Sequence, residues 1–384
     1  MANNTLIPIV PKILAQGLLA LRETCVMPQL VNSDYSADAR KLGDTIDVPV
    51  SAAQSVTDVS PSNTPPAPAA KVIKTVPISL DKWKKTEFFL TDKDQREIEA
   101  NRFKGMQIDE AARALANQVN ADILAEYKGV YGLVGTPGTS PFGTDTTEII
   151  AARKTLARQL CPTSQRRFVM DANAEANALA LAAFQDADKA GDNSVKREGQ
   201  IGRRFGFDCY MEDSLPSHTA GTITTGLAAK TSTAVAAGTE SFLATTAAST
   251  GACALKTGDV IAISGHTTTY ALTADATQAS ASTDVTLSIS PGLEKPLAGS
   301  ESITVKATHK VNLAFHRDAF AFANRGVDGS LFTGGNVIQQ MTDPVTGITM
   351  CLEVSRQHHQ TVWEFSMLYG TKLVRPAMAV RVAG

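Results

Sequence analysis

The chain has 384 residues, 43% hydrophobic and 19% charged, with 36 Lys and Arg against 38 Asp and Glu for a formal net charge of −2. That length exceeds what one compact domain usually holds, so two or three folding units are expected, one of which can be an insertion. The near-neutral balance excludes a dedicated nucleic-acid binder with a basic face, and no run of apolar residues is long enough for a membrane span.

Residues 1–43 read as an extended arm broken by Pro8, Pro11 and Pro28, with Ile13, Leu14, Leu18 and Leu21 spaced for one short amphipathic helix over 13–27. From Thr45 the pattern changes to period two, with Ile46, Val48 and Val50 on one face, and Val76, Ile78 and Leu80 answer it. Between them Pro61, Pro65, Pro66 and Pro68 mark a tip that cannot join a sheet ladder. An isolated two-stranded ribbon is marginal in water, so this one is expected to gain stability against a neighbouring molecule.

Beyond Lys82-Trp83-Lys84-Lys85-Thr86-Glu87-Phe88-Phe89-Leu90, Thr91-Asp92 is expected to cap a short helix. A longer helix is predicted over 107–128, with Ile108, Ala112, Leu115, Val119 and Ile123 on one face and Gly129 and Gly132 at its end. Residues 133–145 read as a Gly/Thr/Pro loop. Helix 147–159, strand 167–170 and helix 172–184 then suggest a mixed α/β unit.

Near Ala220 the composition shifts to Ala, Thr, Ser and Gly, and this lasts to about Thr308. Within it, β-like runs at 242–245, 260–263, 270–273, 285–290 and 303–306 are punctuated by Gly258-Asp259, Gly265 and Pro291-Gly292, which predicts a small antiparallel barrel or sandwich. A flexible linker would not carry repeated alternating β-branched runs. After Lys310 the α/β character resumes, with strands 337–341 and 348–354 around the turn Asp343-Pro344-Val345-Thr346-Gly347. A final strand sets Val362, Glu364, Ser366 and Leu368 opposite Trp363, Phe365, Met367 and Tyr369.

Motifs that would carry chemistry are weak. The five cysteines, Cys25, Cys161, Cys209, Cys253 and Cys351, are dispersed and form no C-x-x-C pair, which fits reduced thiols. His358-His359, read as adjacent strand residues, would point to opposite faces and so would not share a metal. The calcium-like start Asp186-Ala-Asp188-Lys-Ala-Gly191 lacks oxygen ligands at its fifth and twelfth positions, Ala190 and Arg197. Gly199, Gly202 and Gly206 lack the spacing of a nucleotide loop and read as turn glycines placing Arg203 and Phe205. Asn3-Asn4-Thr5 matches the glycosylation triplet, but the N-terminal stretch has no basic region or apolar core of a signal peptide. No catalytic, cofactor-binding or metal-binding residue is assigned, and neither an enzyme nor a cofactor is expected.

Four segments resemble major capsid proteins of tailed bacteriophages, particularly the coat protein of short-tailed enterobacterial phages. They are Ser79-Leu-Asp-Lys-Trp-Lys-Lys-Thr-Glu-Phe-Phe-Leu-Thr-Asp92; Arg197-Glu-Gly-Gln-Ile-Gly-Arg-Arg-Phe-Gly-Phe-Asp208; Gly258-Asp-Val-Ile-Ala-Ile-Ser-Gly265 with Val285-Thr-Leu-Ser-Ile-Ser-Pro291; and Asn312-Leu-Ala-Phe-His-Arg-Asp-Ala-Phe320 with Leu368-Tyr-Gly-Thr-Lys-Leu-Val-Arg-Pro-Ala377. Their order is the family's order. The resemblance implies an α+β Hong Kong 97-like capsid fold with an all-β insertion domain. Its parts would be an N-terminal arm (1–43), an extended β-hairpin loop (44–90), a peripheral domain with a long spine helix (91–145 and 355–384), an axial domain (146–220 and 309–354) and an inserted β-barrel (221–308).

It further implies a shell subunit that assembles through pentamers and hexamers in the host cytoplasm and ends in the virion capsid. Its partners would be itself, scaffolding protein, portal and, by weak non-specific contact, packaged double-stranded DNA, with no membrane. Candidate inter-subunit contacts are Pro61, Pro65, Pro66, Pro68, Lys82, Lys84, Lys85 and Arg96; the structural motif comprises Gly199, Gly202, Arg203, Gly206 and Phe207. The rival within the fold is an encapsulin-like compartment shell. An adhesin, suggested only by the Ala/Thr/Ser-rich region, is opposed by the missing export signal.

Overall fold

A computed structural model describes residues 13–15, 17–18, 26–35, 45–50, 56, 58–59, 61, 74–93, 100–185, 201–222, 226–230, 234–246, 253–278, 284–326, 337–343 and 347–384. Residues 13–15 and 17–18 are helical and bury Leu14 and Leu18, and a separate short helix, Met27–Leu30, begins with proline in its first turn. The ribbon strands follow: β1 (Thr45–Val50) pairs antiparallel with β2 (Lys74–Ser79), Val48 opposite Val76 and Ile46 opposite Ile78.

β3 (Lys82–Thr91) leads through a turn toward the long helix Ala100–Ala125. That helix starts earlier than the apolar spacing suggested, and its last turn tightens to a 3-10 segment, Glu126–Gly129. Of the first eight helical residues only Phe103 and Met106 are large and apolar, so the sustained apolar stripe that marks a helix in sequence starts only at Ile108. Thr91 ends a strand rather than capping a helix, and residues 94–99 lie outside the described residues.

β4 (Gly132–Val134) opens the expected loop, and the helix Thr147–Arg158 leads to β5 (Arg166–Met170). The next helix, Ala172–Ala180, is capped by the Asp171 carboxylate, which accepts from the Ala174 amide at 3.2 Å. The expected single helix 172–184 breaks at Leu181, whose extended ψ of 130° separates a further turn, Ala182–Gln185. β6 (Arg203–Arg204), β7 (Phe207–Met211) and β8 (Ser217–His218) precede the Ala/Thr-rich region.

That region holds β9 (Leu227–Ala229), β10 (Ser241–Thr246), β11 (Cys253–Leu255), β12 (Val260–Ile263), β13 (Thr269–Leu272), β14 (Ala276–Gln278), β15 (Asp284–Ser290) and β16 (Ser302–Val305). Six of them close into a barrel in the order β10-β15-β13-β12-β16-β9, which leaves no free edge, and β11 pairs with β14. Alternate residues point inward: Val285, Leu287 and Ile289 of β15 meet Phe242, Ile261, Ile263 and Tyr270 in one core.

The chain returns through β17 (His309–His316), β18 (Phe320–Arg325), β19 (Val337–Thr342), β20 (Thr349–Gln357), β21 (Gln360–Leu373) and β22 (Ala379–Ala383). A seven-stranded sheet runs β4-β22-β17-β5-β7-β6, with β8 also on β17. A five-stranded sheet contains β18, β21, β20, β19 and β3, and the long helix packs on it through Ile108, Leu115 and Val119 against Leu352, Phe365 and Met367.

Strand pairing therefore apportions the C-terminal segments differently from the expected boundaries. Residues 320–325, 337–342 and 349–354, expected with 309–354 in the axial unit, hydrogen-bond into the sheet of the long helix. Residues 379–383, expected with 355–384 in the peripheral unit, pair with β17 instead. The cause is that β21 spans 14 residues and gathers β3, β18 and β20 along its length, whereas the 3-10 turn Pro376–Met378 redirects the chain to the other sheet. The architecture is mixed α+β with a closed β-barrel carried between β8 and β17.

Candidate assembly site

The ribbon is not isolated at its base. Ile46, Val48, Ile78 and Leu80 are buried against Ala321, Ala323 and Val374, so its near end is held by its own chain. The fit is close at Gly370, where a Cβ would stand 2.2 Å from the Ser79 carbonyl oxygen. Toward the tip the picture reverses, with Val56 97% and Val59 92% exposed and Pro61 exposed. Pro65, Pro66, Pro68 and Arg96 lie outside the described residues.

The lysines of β3 divide. Lys82 donates to Thr371 Oγ1 at 2.7 Å and stands 4.0 Å from Asp122. Lys85 donates to Glu87 at 2.9 Å and to Glu364 at 3.0 Å, hydrogen bonds that raise its pKa. Lys84 is exposed. Partners within the chain thus engage two of the lysines expected to reach across subunits. β3 itself is an edge: it pairs with β21 over Lys82–Thr91 and with no other strand among the described residues. On its outer face Trp83 and Phe89 remain 64% and 60% exposed, while Phe88 on the inner face stacks on Trp363.

In the glycine motif, Phe205 and Gly206 both take positive φ, 51° and 88°, and make the two-residue turn between β6 and β7. The turn sets Arg203 against Asp208 at 3.8 Å and lets Phe207 bury fully beside Phe168, while Phe205 packs edge-on to Phe184. Gly202 also has positive φ, and Gly199 lies outside the described residues. His358 and His359 occupy the turn between β20 and β21 rather than a strand; their rings lie 4.2 Å apart, and His359 is 3.5 Å from Asp92. The turn forms because Gln357 and Gln360 close the hairpin and His359 takes a φ of 54°. Asp186, Asp188 and their loop lie outside the described residues. Among the described residues no cluster of His, Cys, Asp and Glu could hold a metal, and no helix is long and apolar enough to cross a membrane. Cys161 and Cys209 are free thiols, and burial pushes the Cys209 pKa up to about 12.

The most polar buried cluster was not visible in the sequence. At the root of the barrel, His218 Nε2–H donates to Asp259 Oδ1 at 2.8 Å, and its Nδ1 accepts from the Tyr127 hydroxyl at 3.1 Å. Asp259, fully buried, also accepts from the amides of Gly221 and Lys256. Arg381, likewise fully buried, donates to the Gly258 carbonyl at 2.7 Å and the Lys128 carbonyl at 2.9 Å, with its guanidinium 5.0 Å from the Tyr127 ring centre. Burial brings the arginine down to about 10, so it stays charged at neutral pH. Burial raises the Tyr127 pKa, offset in part by Arg381, and lowers that of His309, whose ring lies tilted against His218 with centroids 5.4 Å apart.

Four elements meet here: the end of the long helix, β8, the barrel and β22. An open cleft of about 510 Å³ adjoins it, lined by Lys128, Thr219, Lys256 and Asp275 among others. Both oxygens of the Asp259 carboxylate and the Tyr127 hydroxyl are engaged by groups of the chain itself. The arrangement is a clamp that fixes the barrel to the seven-stranded sheet and to the end of the long helix.

No family model matches the chain, and no curated protein matches it. Solved structures do. The capsid structure of the cyanophage P-SCSP1u superposes with a TM-score of 0.52 at 14% identity, covering 94% of this chain and 88% of that chain. A structure from Mycobacterium phage Che8 gives a TM-score of 0.50 at 16% identity, covering 93% of this chain and 90% of that one. The chain therefore has the fold of a bacteriophage capsid subunit, over nearly its whole length, as the resemblance implied.

Proposed function

We propose that the chain is the major capsid protein of a tailed bacteriophage, a non-enzymatic subunit that self-assembles through pentamers and hexamers into an icosahedral shell around the genome. The observation that carries this reading is the fold shared with the cyanophage capsid structure across 94% of the chain. The ordered sequence resemblance supports it, as do a ribbon whose outer end is exposed and an edge strand with two solvent-facing aromatics. In this reading the Hong Kong 97 peripheral domain corresponds to the sheet of the long helix, the axial domain to the seven-stranded sheet, and the barrel is an insertion that braces them. The ribbon tip, with Pro61, Pro65, Pro66 and Pro68, together with Lys82, Lys84, Lys85 and Arg96, supplies contacts to neighbouring copies. Scaffolding protein, portal and DNA are its other partners, the last held weakly because the net charge is close to zero. The protein assembles in the host cytoplasm and resides in the virion.

Repetition supplies the strength. Apolar burial contributes about 25 cal/mol per Å² before the costs of association, so modest contacts repeated by symmetry make a shell hard to dissociate. Electron microscopy of the protein expressed with its scaffolding partner tests the proposal. Closed shells that fill with DNA support it, and shells that take up a protein cargo and exclude DNA would replace it with a compartment of the same fold.

A further inference from the structure

The segment from the short helix Met27–Leu30 to Tyr35 is strapped over the end of β5 and β17. Asn32 fastens it beside β18, its amide donating to the Phe320 carbonyl at 3.1 Å and its carbonyl accepting from the Phe322 amide at 2.9 Å. Between strap and sheet lies a polar crevice of about 360 Å³, with Ser33, Gln165, Arg167 and Arg317 in its wall, and among the described residues no aspartate or glutamate lines it. Arg167 Nη1–H donates to the Gln29 carbonyl at 3.0 Å, a neutral acceptor that leaves the charge in place. Arg317 Nη2–H donates to Asp34 at 2.7 Å, and that carboxylate is 66% exposed, so water screens much of what it supplies. The Arg317 amide is held by the Gln165 carbonyl at 3.3 Å, which keeps both arginines on one rim.

The charges nearby do not balance. Around His316 stand Asp318, Arg166, Arg167 and Arg375, and buried Arg166 is bonded to the neutral Cys161 and Pro162 carbonyls. Asp208, the other acid near Arg167, is set against Arg203 at 3.8 Å. Arg166, Arg167, Arg317 and Arg375 thus face only Asp34 and Asp318, which leaves two positive charges at this corner of a chain whose net charge is −2. Burial lowers the Arg167 pKa and Arg317 adds to the effect, as expected of a cation short of counter-charge.

We propose that this crevice binds a doubly charged phosphate group, as inorganic phosphate or the end group of a phosphomonoester, between the guanidinium groups of Arg167 and Arg317. Guanidinium forks match phosphate oxygens in pairs and stay charged at every working pH. A dianion offsets both surplus charges, whereas a single carboxylate offsets one. The Ser33 hydroxyl and the Gln165 amide add neutral donors to the wall. The inference goes beyond the shell reading and does not depend on it.

Calorimetric titration of the unassembled full chain with inorganic phosphate, at constant ionic strength, tests it. One saturable site per chain is expected. Arg167→Gln and Arg317→Gln should each weaken binding about tenfold or more, since each removes charge-assisted hydrogen bonds. Ser33→Glu, which sets a carboxylate in the crevice, should abolish it, and Lys154→Gln, exposed on the helix Thr147–Arg158, should leave it unchanged. Acetate, with one charge, should bind about tenfold more weakly than phosphate or worse. Competition by glycerol 3-phosphate extends the site to phosphomonoesters, and its failure to compete identifies inorganic phosphate as the ligand; both support the site. Circular dichroism checks that the variants fold, and should Arg167→Gln misfold for want of its bond to Gln29, Ser33→Glu answers the question. Absence of a saturable site, acetate binding as tightly as phosphate, or binding indifferent to the crevice variants would overturn the proposal. So would a short DNA duplex that binds through these arginines where phosphate does not, because its internal diesters each carry a single charge. Shells that assemble from a chain binding no phosphate would overturn the site and leave the shell reading intact.

Discussion

Replacing Asp259 by alanine is the sharpest probe of how the barrel is held. The carboxylate has no exposure and receives hydrogen bonds from His218 Nε2, the Gly221 amide and the Lys256 amide. Removing it leaves three donors without a partner at a buried junction. Each buried unsatisfied group costs about 1–3 kcal/mol, so the three together span about 3–9 kcal/mol. Partial relaxation toward the adjoining cleft favours the lower part of the summed range, so a loss of about 3–5 kcal/mol is expected.

Both tryptophans, Trp83 and Trp363, lie in the five-stranded sheet and would not report opening at the barrel root. Hydrogen exchange read by mass spectrometry on the full chain would report it. At about 1.4 kcal/mol per decade, amides of β12 and β13 should exchange about two to four orders of magnitude faster. Asp275→Ala is the control, because that carboxylate also accepts from Thr257 but at an exposed site, where water replaces the lost hydrogen bonds and exchange in β12 and β13 should change little. Equal exchange in the two variants would refute the view that Asp259 anchors the barrel.

Arg381→Met keeps the apolar stem but strips the donors from the Gly258 and Lys128 carbonyls, and should cost about 3–5 kcal/mol in denaturant unfolding of the unassembled protein. Gly370→Ala drives a methyl into the Ser79 carbonyl, so the ribbon base must shift; a loss of about 1–3 kcal/mol, seen as faster proteolysis near residue 80, is expected. Lys85→Ala in the unassembled chain removes exposed ion pairs with Glu87 and Glu364 that solvent screens, and should leave the midpoint in the same unfolding assay essentially unchanged.

Acid should weaken the folded chain. Burial lowers the pKa of His309, whose Nδ1–H donates to the Ala307 carbonyl while its Nε2 is buried without a partner, and Arg381, His218 and Asp259 face the ring. The folded state therefore binds fewer protons than the unfolded one. Its contribution is complete above the ordinary histidine value and is lost as pH falls below about 6.5 toward the depressed folded value. His316, also lowered by burial, acts in the same direction. Denaturation midpoints at pH 7.5 and pH 5 should show the decline, and His309→Phe should reduce its slope.

Elements with a strict period were legible in the sequence and their junctions were not. The ribbon alternation at Ile46, Val48, Val76 and Ile78 and the helix face from Ile108 to Ile123 both reach the core as the spacing required. Five of the barrel strands stand where β-branched runs predicted them. Leu227–Ala229, Cys253–Leu255 and Ala276–Gln278 escaped notice because three residues, mostly small, carry no periodic signal.

β18 escaped notice because it is buried from Phe320 to Asn324 and offers no polar alternation, whereas Val311, Leu313 and Phe315 of β17 do alternate, a signal legible as a strand. The clamp joins residues 41, 91 and 123 positions apart, which no local motif can reveal. Gly258-Asp259 could be read only as a turn. Lysines on β3 suggested contacts outward, yet strand pairing brought Glu364 beside Lys85 within the chain.

Sedimentation velocity of the purified protein, run with scaffolding partner over a wide concentration range, tests most directly whether this molecule is built to tile. The account predicts a cooperative passage from small species to one fast, discrete boundary, whose particles appear by electron microscopy as closed shells of uniform diameter. A single slow boundary at every concentration, from a folded chain that never associates, would contradict it.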